Sequence, residues 1–536
     1  MLRDGYNIAT FFFDPIVMKL ENLQDIERAT ALARGEMVRL SMAILFLVSI
    51  IFYVSVGLNA SDTLVIAAMM GGYMALNIGA NDVANNVGPA VGSRALTLGG
   101  AIVIASIFEA GGSLIAGGDV VGTIKKGIID PQMIGDTDTF VWLMMAALLA
   151  GAVWLNAATA LGAPDSTTHS IVGGVLGAGI AAGGFGIANW GKMGAIVASW
   201  VISPVLGGII AAVFLYLIKR SIMYRSDKLA AARRVVPLLV AVMIWAFSTY
   251  LVLKGLKKIW KVDFGNALLV GLAIAIGVYL LIRPLIRCST RDMDNDKAAI
   301  NRLFTIPLIF AAALLSFAHG ANDVANAVGP LAAINEALVH GDIVRKVPIP
   351  LWVMMIGALG IALGLALYGP KLIRTVGSEI TDLDQSRAFC IAMAAAITVI
   401  IASQLGLPVS STHVAVGAVF GVGFLREHIK ATYARMIDEI EEHHQGEDRE
   451  VVENFLERFR VASLEEKRMI LRELKDKKKG LPLEKDERKR LKKMVRKQLV
   501  KRSALMKIVT AWLITVPASG LLAALLYFTI RGMMSL

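Results

Sequence analysis

The chain has 536 residues, of which 56% are hydrophobic and 18% charged, and its mean hydropathy is +0.64. Apolar runs of about twenty residues recur along most of it, which excludes a soluble enzyme and predicts a polytopic all-α membrane protein. Continuous apolar runs such as 205–218 also exclude an outer-membrane barrel, whose strands alternate in polarity. The formal net charge is +12. Because basic loops are common beside membrane spans, no nucleic-acid partner is expected.

The predicted membrane segments follow one another from residue 40 to residue 531. Residues 1–37 are mixed in charge, so no cleavable signal peptide is expected. The segments at 168–185 and 412–425 start directly after Ser/Thr clusters, which predicts re-entrant or broken helices there. The predicted segments are 40–58, 62–78, 98–117, 139–161, 168–185, 194–218, 235–253, 264–283, 303–318, 349–368, 386–405, 412–425 and 508–531.

Changes in polarity divide the chain into predicted domains. The N-terminal segment with the first membrane helix (1–61) precedes the first membrane repeat (62–218), and a basic loop with connecting membrane helices (219–302) follows. The first part of the second repeat (303–425), a polar and basic helical cytoplasmic insert (426–507) and the last helix of that repeat (508–536) complete the chain.

Two motifs occur twice, which indicates two fused copies of one unit. Gly79–Pro89 returns as Gly320–Pro330 with an offset of 241, and ten of the eleven positions are identical. Gly162–His169 returns as Gly406–His413 with an offset of 244. The spacing between the two motifs is therefore almost the same in each half.

The charge pattern predicts the relative orientation of the two copies. The basic loop Lys219–Arg234 follows the segment that contains Trp200, whereas the basic insert precedes the related segment at Trp512. If both basic regions are cytoplasmic, equivalent helices run in opposite directions. The sequence thus predicts two inverted-topology repeats, as in many secondary transporters. The lysine-rich stretch 254–261 would then face outward, against the same charge rule.

The insert has apolar residues at helical spacing, among them Ile437, Ile440, Phe455 and Phe459, between many charges. It is predicted to form a solvated helical hairpin held near anionic lipid headgroups. A regulatory or partner-binding role is the alternative.

The first motif places carboxylates and carboxamides in apolar membrane sequence, which is costly unless they pair with a cation or line a wet cavity. Its glycines and prolines, among them Pro89 and Pro330, are expected to break the helices and free backbone carbonyls. Such oxygen ligands suit sodium, although polar contacts between helices are an alternative. The candidate sodium ligands are Asn81, Asp82, Asn85, Asn322, Asp323 and Asn326.

The second motif has the composition of a helix N-cap, and two such helix starts would offer backbone N–H groups, hydroxyl donors and positive helix dipoles to an oxyanion. Phosphate and sulfate both fit these donors. A protonated phosphate also needs an acceptor, which Asp82 or Asp323 could supply. The candidate hydroxyl ligands are Ser166, Thr167, Thr168, Ser410, Ser411 and Thr412.

Further polar residues are expected to support the site. His169, His319 and His413 are interpreted as hydrogen-bonding groups, with a proton relay as the alternative. Glu109 is a third carboxylate in apolar sequence, and it is either a proton or cation site or the partner of Lys125 or Lys126.

Several kinds of chemistry have no signature in the sequence. The two cysteines lie far apart without a metal-binding pattern, and no hydrolase, Walker or zinc-protease motif occurs. Neither an enzymatic activity nor a cofactor is predicted, and sodium is the only metal ion expected.

These motifs resemble those of the inorganic phosphate transporter (PiT) family of cation-coupled carriers. The twin Gly-Ala-Asn-Asp-Val-Ala-Asn stretches are similar to its signature, and the Ser/Thr-Thr-His clusters match its second motif pair. Ser106–Glu109 and Thr123–Asp130 look closest to the sodium-coupled members. The resemblance covers about 62–218 and 303–531.

The resemblance implies a multi-pass protein of the plasma or inner membrane, commonly a homodimer, that carries sodium together with monovalent phosphate. It makes Asp82 and Asp323 an essential acidic pair and the Ser/Thr residues phosphate ligands or their neighbours. Some relatives carry sulfate, couple to protons or move metal–phosphate complexes. Asp165 stands where the second copy has Val409, and a carboxylate beside an anion site would repel phosphate unless it faces a cation or solvent.

The predicted function is sodium-coupled symport of inorganic phosphate by alternating access. The alternatives are a proton-coupled phosphate or sulfate symporter and, in a different class, an anion channel. A receptor or scaffold with a transporter fold is a further alternative, suggested by the insert alone.

Overall fold

The computed structural model describes residues 34–161, 165–255, 262–341, 348–379, 383–442, 458 and 502–534. Within these ranges the chain is helical, and its only β pairing is an isolated antiparallel bridge between Ile129 and Ala188. Eleven of the described helices are long and apolar enough to cross a membrane. The prediction of an all-α, multi-pass membrane protein is confirmed.

The α-helices are numbered in chain order. The first half holds α1 (Arg34–Gly57), α2 (Asp62–Asn81), α3 (Val83–Gly92), α4 (Leu98–Ala116), α5 (Gly118–Lys126), α6 (Thr137–Ala160), α7 (Thr167–Gly183) and α8 (Trp190–Ile218, extended by a π turn over Lys219–Met223). The remaining helices are α9 (Lys228–Gly255), α10 (Phe264–Ser289), α11 (Lys297–Leu303), α12 (Thr305–Asp323), α13 (Ala325–His340), α14 (Leu351–Glu379), α15 (Gln385–Gln404), α16 (Ser411–Glu442) and α17 (Arg502–Met534).

The apolar helices differ in how deeply they are buried. In the α12–α13 segment, 89% of the most apolar 18-residue stretch is buried within the protein. The corresponding stretch is only 11% buried in α10 and 22% buried in α1. Helices α1 and α10 therefore lie at the periphery, where apolar side chains suit a lipid environment. The α2–α3 and α12–α13 segments, which contain the Asn-Asp motifs, form the centre.

The central helices are interrupted within the motif rather than at its prolines. The chain passes from α2 to α3 at Asp82 and from α12 to α13 at Val324, while Pro89 and Pro330 lie inside α3 and α13. The prediction of breaks at these prolines was wrong, because a helix that restarts at the motif can include them. Each proline still removes the hydrogen bond to the carbonyl four residues earlier, which belongs to Asn85 or Asn326.

Two helical hairpins, α6–α7 and α15–α16, bring the Ser/Thr clusters to the centre. Helix α7 has 17 residues, a length of about 25 Å, which is short for a complete membrane crossing. The backbone carbonyl of Asp165 in the first hairpin tip lies 3.5 Å from the hydroxyl of Thr412 in the second. The reciprocal contact, from the Thr168 hydroxyl to the Val409 carbonyl, measures 3.1 Å. The two tips therefore meet.

Helices of one half pack against helices of the other half. The pairs in contact are α2 with α14, α4 with α12, α7 with α17 and α8 with α16. Glycine permits the close approach, since a Cβ on Gly177 of α7 would lie 2.1 Å from the Gly520 carbonyl oxygen of α17. A Cβ on Gly421 of α16 would lie 1.9 Å from the Gly208 carbonyl oxygen of α8.

Some predicted domain boundaries fall inside continuous helices. Helix α16 passes residue 426 and ends at Glu442, and α17 begins at Arg502, before residue 508. A change from apolar to charged residues alters the environment of a helix without ending it. Residues 443–501 of the predicted insert, apart from Arg458, lie outside the described residues. The inverted orientation of the two repeats remains a prediction.

Candidate functional site

The two Asn-Asp motifs are fully enclosed at the helix interruptions. Asp82 is 2% exposed and Asp323 is fully buried. The flanking carboxamides are equally inaccessible to solvent. A buried carboxylate is costly unless polar partners compensate for its lost hydration. The hydrogen-bond partners of Asp82 and Asp323 therefore show which groups stabilise the two carboxylates. The motif residues buried with them are Asn81, Asn85, Asn322 and Asn326.

Both Ser/Thr clusters form the capped helix starts that the sequence predicts. Ser166 accepts a hydrogen bond from the backbone N–H of His169 at 3.2 Å and caps α7. Ser410 accepts one from the N–H of His413, also at 3.2 Å, at the start of α16. The first turns of α7 and α16 therefore present backbone N–H groups and the positive ends of their dipoles to the centre of the protein.

Asp82 joins the two helix starts. The hydroxyl of Thr167 on α7 donates to Asp82 Oδ2 at 2.6 Å, and that of Thr412 on α16 donates to Asp82 Oδ1 at 3.2 Å. The carboxamide of Asn85, one turn further along, donates to Thr412 Oγ1 at 2.8 Å. One carboxylate thus contacts hydroxyls from both halves of the chain.

Asp323 repeats this arrangement from the other half. Ser411 on α16 donates to Asp323 Oδ2 at 2.9 Å, and Thr168 on α7 donates to Asp323 Oδ1 at 3.3 Å. Asn326 donates to Thr168 Oγ1 at 3.2 Å and to Thr167 Oγ1 at 3.1 Å. Each of the two carboxylates therefore contacts one hydroxyl from its own half and one from the other.

Asn81 and Asn322 hold the hairpin tips in place. The carboxamide oxygen of Asn81 accepts from the backbone N–H of Asp165 at 3.0 Å, and that of Asn322 accepts from the N–H of Val409 at 3.3 Å. Their amide nitrogens donate to the hydroxyls of Thr159 at 2.9 Å and of Ser403 at 3.0 Å. These two residues, predicted as sodium ligands, position the tips in this conformation.

The Asp165 carboxylate has hydrogen-bond donors of its own, other than the hydroxyls that contact Asp82 and Asp323. Its carboxylate accepts from the Thr515 hydroxyl at 2.7 Å, from the Trp154 indole N–H at 2.5 Å and from the backbone N–H of Ser166 at 2.8 Å. These donors offset part of the cost of burying the charge. Asp165 therefore does not compete for the hydroxyls at Asp82 and Asp323.

Glu109 lies beside the central carboxylates and is bridged to them by a histidine. His319 Nδ1 is 2.7 Å from Glu109 Oε2, and His319 Nε2 is 2.7 Å from Asp323 Oδ2. The Asn86 carboxamide donates to Glu109 Oε1 at 2.8 Å. One ligand atom from each of Asp82, His319 and Asp323 lies within 4.8 Å of the other two.

Of the two lysines considered as partners of Glu109, Lys125 contacts another carboxylate, and the side chain of Lys126 lies outside the described residues. Lys125 forms an ion pair with Glu336 of α13. A sequence cannot show that Glu109 and His319, which are 210 positions apart, lie in contact. One part of this cluster could have been predicted from the sequence: His319 and Asp323 are four residues apart, which places them on the same face of a helix.

Among the residues that the structure describes, the Glu109 cluster has no counterpart in the other half. The motif alignment makes Ile78 equivalent to His319, and Ala327 equivalent to Asn86. Matching close contacts make Ile361 equivalent to Glu109, since Gly79 approaches the Ile361 carbonyl and Gly320 approaches the Glu109 carbonyl. The two-fold pattern at the carboxylates is therefore accompanied by an asymmetric polar cluster.

His169 and His413 lie next to each other behind the capped helix starts. Their ring centroids are 4.3 Å apart, and the Trp200 ring lies 3.9 Å from that of His169. The Trp200 indole N–H donates to the Pro408 carbonyl at 3.1 Å. These rings pack the hairpin tips together and support the site.

The sequence profile described as the Phosphate transporter family matches residues 78–523. A candidate phosphate permease of Helicobacter pylori strain J99 is 52% identical over 525 residues, which cover 95% of this chain and 98% of the relative. A candidate phosphate permease of Pyrococcus abyssi is 40% identical over 363 residues, covering 68% and 89% of the two chains. A solved structure titled "The sodium-dependent phosphate transporter" has 32% identity and a TM-score of 0.72, covering 88% of this chain and 99% of that chain.

The matched region includes both Asn-Asp motifs and both Ser/Thr clusters. The relatives are permeases and transporters, so the prediction that the chain is not an enzyme is confirmed. The chain is a multi-pass membrane protein that belongs to the phosphate transporter family.

Proposed function

We propose that this protein couples the transport of inorganic phosphate to sodium by alternating access. The observation that carries the proposal is the pairing of two buried carboxylates, Asp82 and Asp323, each with hydroxyls from both helix starts. Donors for an anion and ligands for a cation thus occupy the same enclosed place. A channel needs no such pairing of opposite charges.

Phosphate would be held by the first turns of α7 and α16. The hydroxyls of Thr167, Thr168, Ser411 and Thr412 are buried there and close enough to be shared between the carboxylates and a tetrahedral anion. Backbone N–H groups at the helix starts add donors without a buried lysine or arginine. A protonated phosphate oxygen could donate to Asp82 or Asp323, a bond that fully deprotonated sulfate cannot make. This acceptor supports phosphate over sulfate.

Sodium would offset the negative charges that phosphate adds. Carboxylate oxygens, the carboxamides of Asn85 and Asn326 and the carbonyls freed by Pro89 and Pro330 are hard oxygen ligands. Two carboxylates and an anion cannot share a dry site without cations, because repulsion between like charges is weakly screened there. Bound sodium would therefore favour phosphate binding.

The coupling should be reciprocal. Linkage requires that sodium raises the affinity for phosphate by the same factor as phosphate raises the affinity for sodium. We expect a factor of about 5 to 150, the usual range for coupled sites. Equilibrium binding of labelled phosphate with and without sodium, and of labelled sodium with and without phosphate, measures the two factors separately.

A second candidate is proton coupling, favoured by the connected series Glu109, His319 and Asp323. Such a chain of exchangeable groups can carry a proton to the central carboxylate. In that case the fold and the anion site would be unchanged, and the carboxylates would accept protons in place of sodium.

The deciding experiment uses purified protein in proteoliposomes and labelled phosphate. Uptake is measured with an inward sodium gradient, an inward proton gradient or neither, and with excess unlabelled sulfate. We expect uptake that follows the sodium gradient and resists sulfate. Uptake that follows the proton gradient supports the second candidate, and flux that is independent of both gradients and shows no counterflow supports a channel.

We further propose that the protein resides in the plasma or inner membrane as a homodimer. The apolar, weakly buried surfaces of α1 and α10 are compatible with lipid or with a second copy. Cross-linking in native membranes, followed by mass determination, tests the oligomeric state.

A further inference from the structure

The tip of the second hairpin, residues 406–409, is held through its backbone carbonyls. Four consecutive carbonyls each accept a hydrogen bond from a side chain of a different helix. The bonds run from Thr123 of α5 to Gly406 at 2.7 Å, from Asn322 of α12 to Leu407 at 3.2 Å, from Trp200 of α8 to Pro408 at 3.1 Å and from Thr168 of α7 to Val409 at 3.1 Å. Three of these donors already belong to the site or support it, whereas Thr123 lies on α5, a helix with no role there so far.

The Gly406 carbonyl needs a donor from outside its own hairpin. Gly406 has a φ of +67° and ends α15 in a Schellman motif. In this motif the Gly406 N–H bonds to the Ser403 carbonyl at 3.1 Å, and the Leu407 N–H bonds to the Ala402 carbonyl at 3.0 Å. Within the described residues 383–442, no backbone N–H bonds to the Gly406 carbonyl. The Thr123 hydroxyl satisfies it.

Helix α5 is anchored to the core, so the position of the Thr123 hydroxyl is set in advance. Ile124 is fully buried, and a Cβ on Gly329 of α13 would lie 2.7 Å from its Cγ2. The ion pairs that hold α5 join Lys125 to Glu336 of α13 and Asp119 to Lys254 of α9. Thr123 thus connects the second hairpin tip to α13, the helix that directly follows the second Asn-Asp motif.

Threonine recurs at the equivalent position of the second half. Gly112 of α4 and Gly364 of α14 approach the backbone of α12 and α2 at equivalent positions, which aligns α4 with α14 at an offset of 252. At this offset Thr123 corresponds to Thr375, whose side chain lies outside the described residues. Lys125 corresponds to a glycine. The two halves thus share the hydroxyl but not the lysine, which favours the hydroxyl as the group that acts on the hairpin.

We propose, building on the proposed function, that Thr123 is a positioning residue for transport. Its bond to Gly406 fixes the second hairpin tip, and Ser411 and Thr412 follow this tip directly at the start of α16. The hydroxyls of Ser411 and Thr412 contact the two central carboxylates. Thr123 therefore acts on the anion site through the hairpin.

Loss of the Thr123 bond should lower the apparent affinity for phosphate rather than the maximal rate. Without this bond, the tip occupies the arrangement that binds phosphate for a smaller fraction of the time. The apparent dissociation constant rises in inverse proportion to that fraction, and saturating phosphate restores the binding arrangement. A general loss of stability acts differently, since it removes active protein and lowers the maximal rate at an unchanged half-saturating concentration.

Thr123→Val removes the hydroxyl and keeps the shape of the side chain. In proteoliposomes with an inward sodium gradient, we expect the phosphate concentration for half-maximal uptake to rise about two- to tenfold, the factor that corresponds to one hydrogen bond. The maximal rate should remain that of wild type. Thr123→Ser keeps a hydroxyl and should restore the wild-type half-saturating concentration.

Thr398→Val is the matched control. Thr398 lies on α15 in the same hairpin, is buried and donates to the Ala394 carbonyl of its own helix at 2.7 Å. Its replacement removes a hydroxyl from the hairpin without releasing the tip, so the half-saturating concentration should remain that of wild type. A wild-type value in Thr123→Val, or an equal rise in Thr398→Val, would overturn the proposal.

Hydrogen exchange tests the contact independently of transport. Mass spectrometry follows the exchange of residues 405–413 in the full-length protein, in detergent without sodium or phosphate. This segment should exchange faster in Thr123→Val than in wild type, because its tip is less restrained, and Thr398→Val should match wild type. Unchanged exchange in Thr123→Val overturns the proposal. If wild type takes up no phosphate while exchange still rises in Thr123→Val, the proposed function fails and the positioning of the hairpin stands.

Discussion

Asp82 and Asp323 accept the same pattern of hydroxyl bonds although the donors come from different parts of the chain. Each accepts two hydroxyls, one from α7 and one from α16, at distances between 2.6 and 3.3 Å. Four donated bonds stabilise two buried charges, and they are the bonds that a tetrahedral anion would compete for. Binding of an anion must therefore be accompanied by a new partner for each carboxylate.

The first prediction concerns the charge of this pair. Asp323→Asn keeps the size and can retain a hydroxyl contact, but it removes a negative charge that the proposal assigns to sodium. Removing one partner of a buried pair of opposite charges typically costs about 3–5 kcal/mol. Here the pair is the carboxylate and the sodium ion assigned to it, so we expect sodium-stimulated phosphate uptake to fall by at least about 100-fold. The initial rate of phosphate uptake into proteoliposomes, compared between the variant and wild type, measures this decrease.

Asp165→Asn is the matched control, because Asp165 is buried close by but is directed at Trp154 and Thr515. It should lower thermal stability and leave the dependence of uptake on sodium concentration as in wild type. An unchanged sodium response in Asp323→Asn would refute the assignment of that carboxylate.

The second prediction concerns the asymmetric cluster. Glu109→Ile alone leaves His319 and Asn86 buried with a lost partner, which is more destabilising than replacing all members of a buried polar group. We therefore expect Glu109→Ile to melt at a lower temperature than the triple variant Glu109→Ile, His319→Ile, Asn86→Ala, which copies the other half. Thermal unfolding in detergent checks the order. A triple variant that melts below the single one would contradict it.

The sequence predicted the members of the site better than their contacts. Repetition singled out Asp82, Asp323 and both Ser/Thr clusters, because buried polar residues in apolar sequence are costly enough to be conspicuous. It did not indicate that Asn81 and Asn322 bind the hairpin tips, or that Glu109 contacts His319. These contacts depend on how distant segments pack, which no local pattern encodes.

At the scale of helices, the pairs α2–α14 and α4–α12 depend on close backbone contact at glycines of both partner helices. A Cβ on Gly79 would lie 1.9 Å from the Ile361 carbonyl oxygen, and one on Gly320 would lie 2.2 Å from that of Glu109. Real Cβ atoms do not approach backbone this closely, so any larger residue must separate the helices.

The third prediction follows from this contact. Gly320→Ala should destabilise the protein by about 1–3 kcal/mol, the usual cost of overpacking, and move Asp323 away from its hydroxyl partners. Gly99→Ala in α4 is the control, because no atom lies within 4 Å of its added Cβ. Melting temperatures and uptake rates of the two variants give the comparison. Equal effects of the two substitutions would show that the close approach has no energetic role.

Helix existence was easier to predict than helix ends. The predicted segments 62–78 and 303–318 end before the motifs, whereas α2 and α12 continue to Asn81 and Asp323. Hydropathy drops at polar residues, but the backbone remains helical where packing and hydrogen bonds supply partners. The polar motif therefore lies within the core helices rather than in a loop beside them.

At the scale of the whole molecule, each half completes the other. Helix α7 packs on α17, and α16 packs on α8, so both hairpins depend on the last helix of the opposite half. The interface between the halves is therefore continuous with the core, and neither half can bury its small-residue faces alone.

The fourth prediction concerns separated halves. Residues 1–302 and 303–536 expressed together should assemble into one complex that transports phosphate, whereas either half alone should aggregate or be degraded. Size-exclusion elution in detergent and uptake in proteoliposomes measure the outcome. A single half that elutes as a monodisperse species and unfolds cooperatively would show that the halves are independent.

The polar cluster of Glu109, His319 and Asn86 in only one half has a consequence for the transport cycle. A carrier built from two identical inverted halves would have outward-facing and inward-facing forms of equal free energy, because each form would be the other turned over. On the predicted inverted arrangement, Ile361, Ile78 and Ala327 are differences at the site that break that equality. The empty carrier should therefore populate mainly one of the two forms, either outward-facing or inward-facing. The substrate concentration that gives half the maximal rate should then differ between influx and efflux.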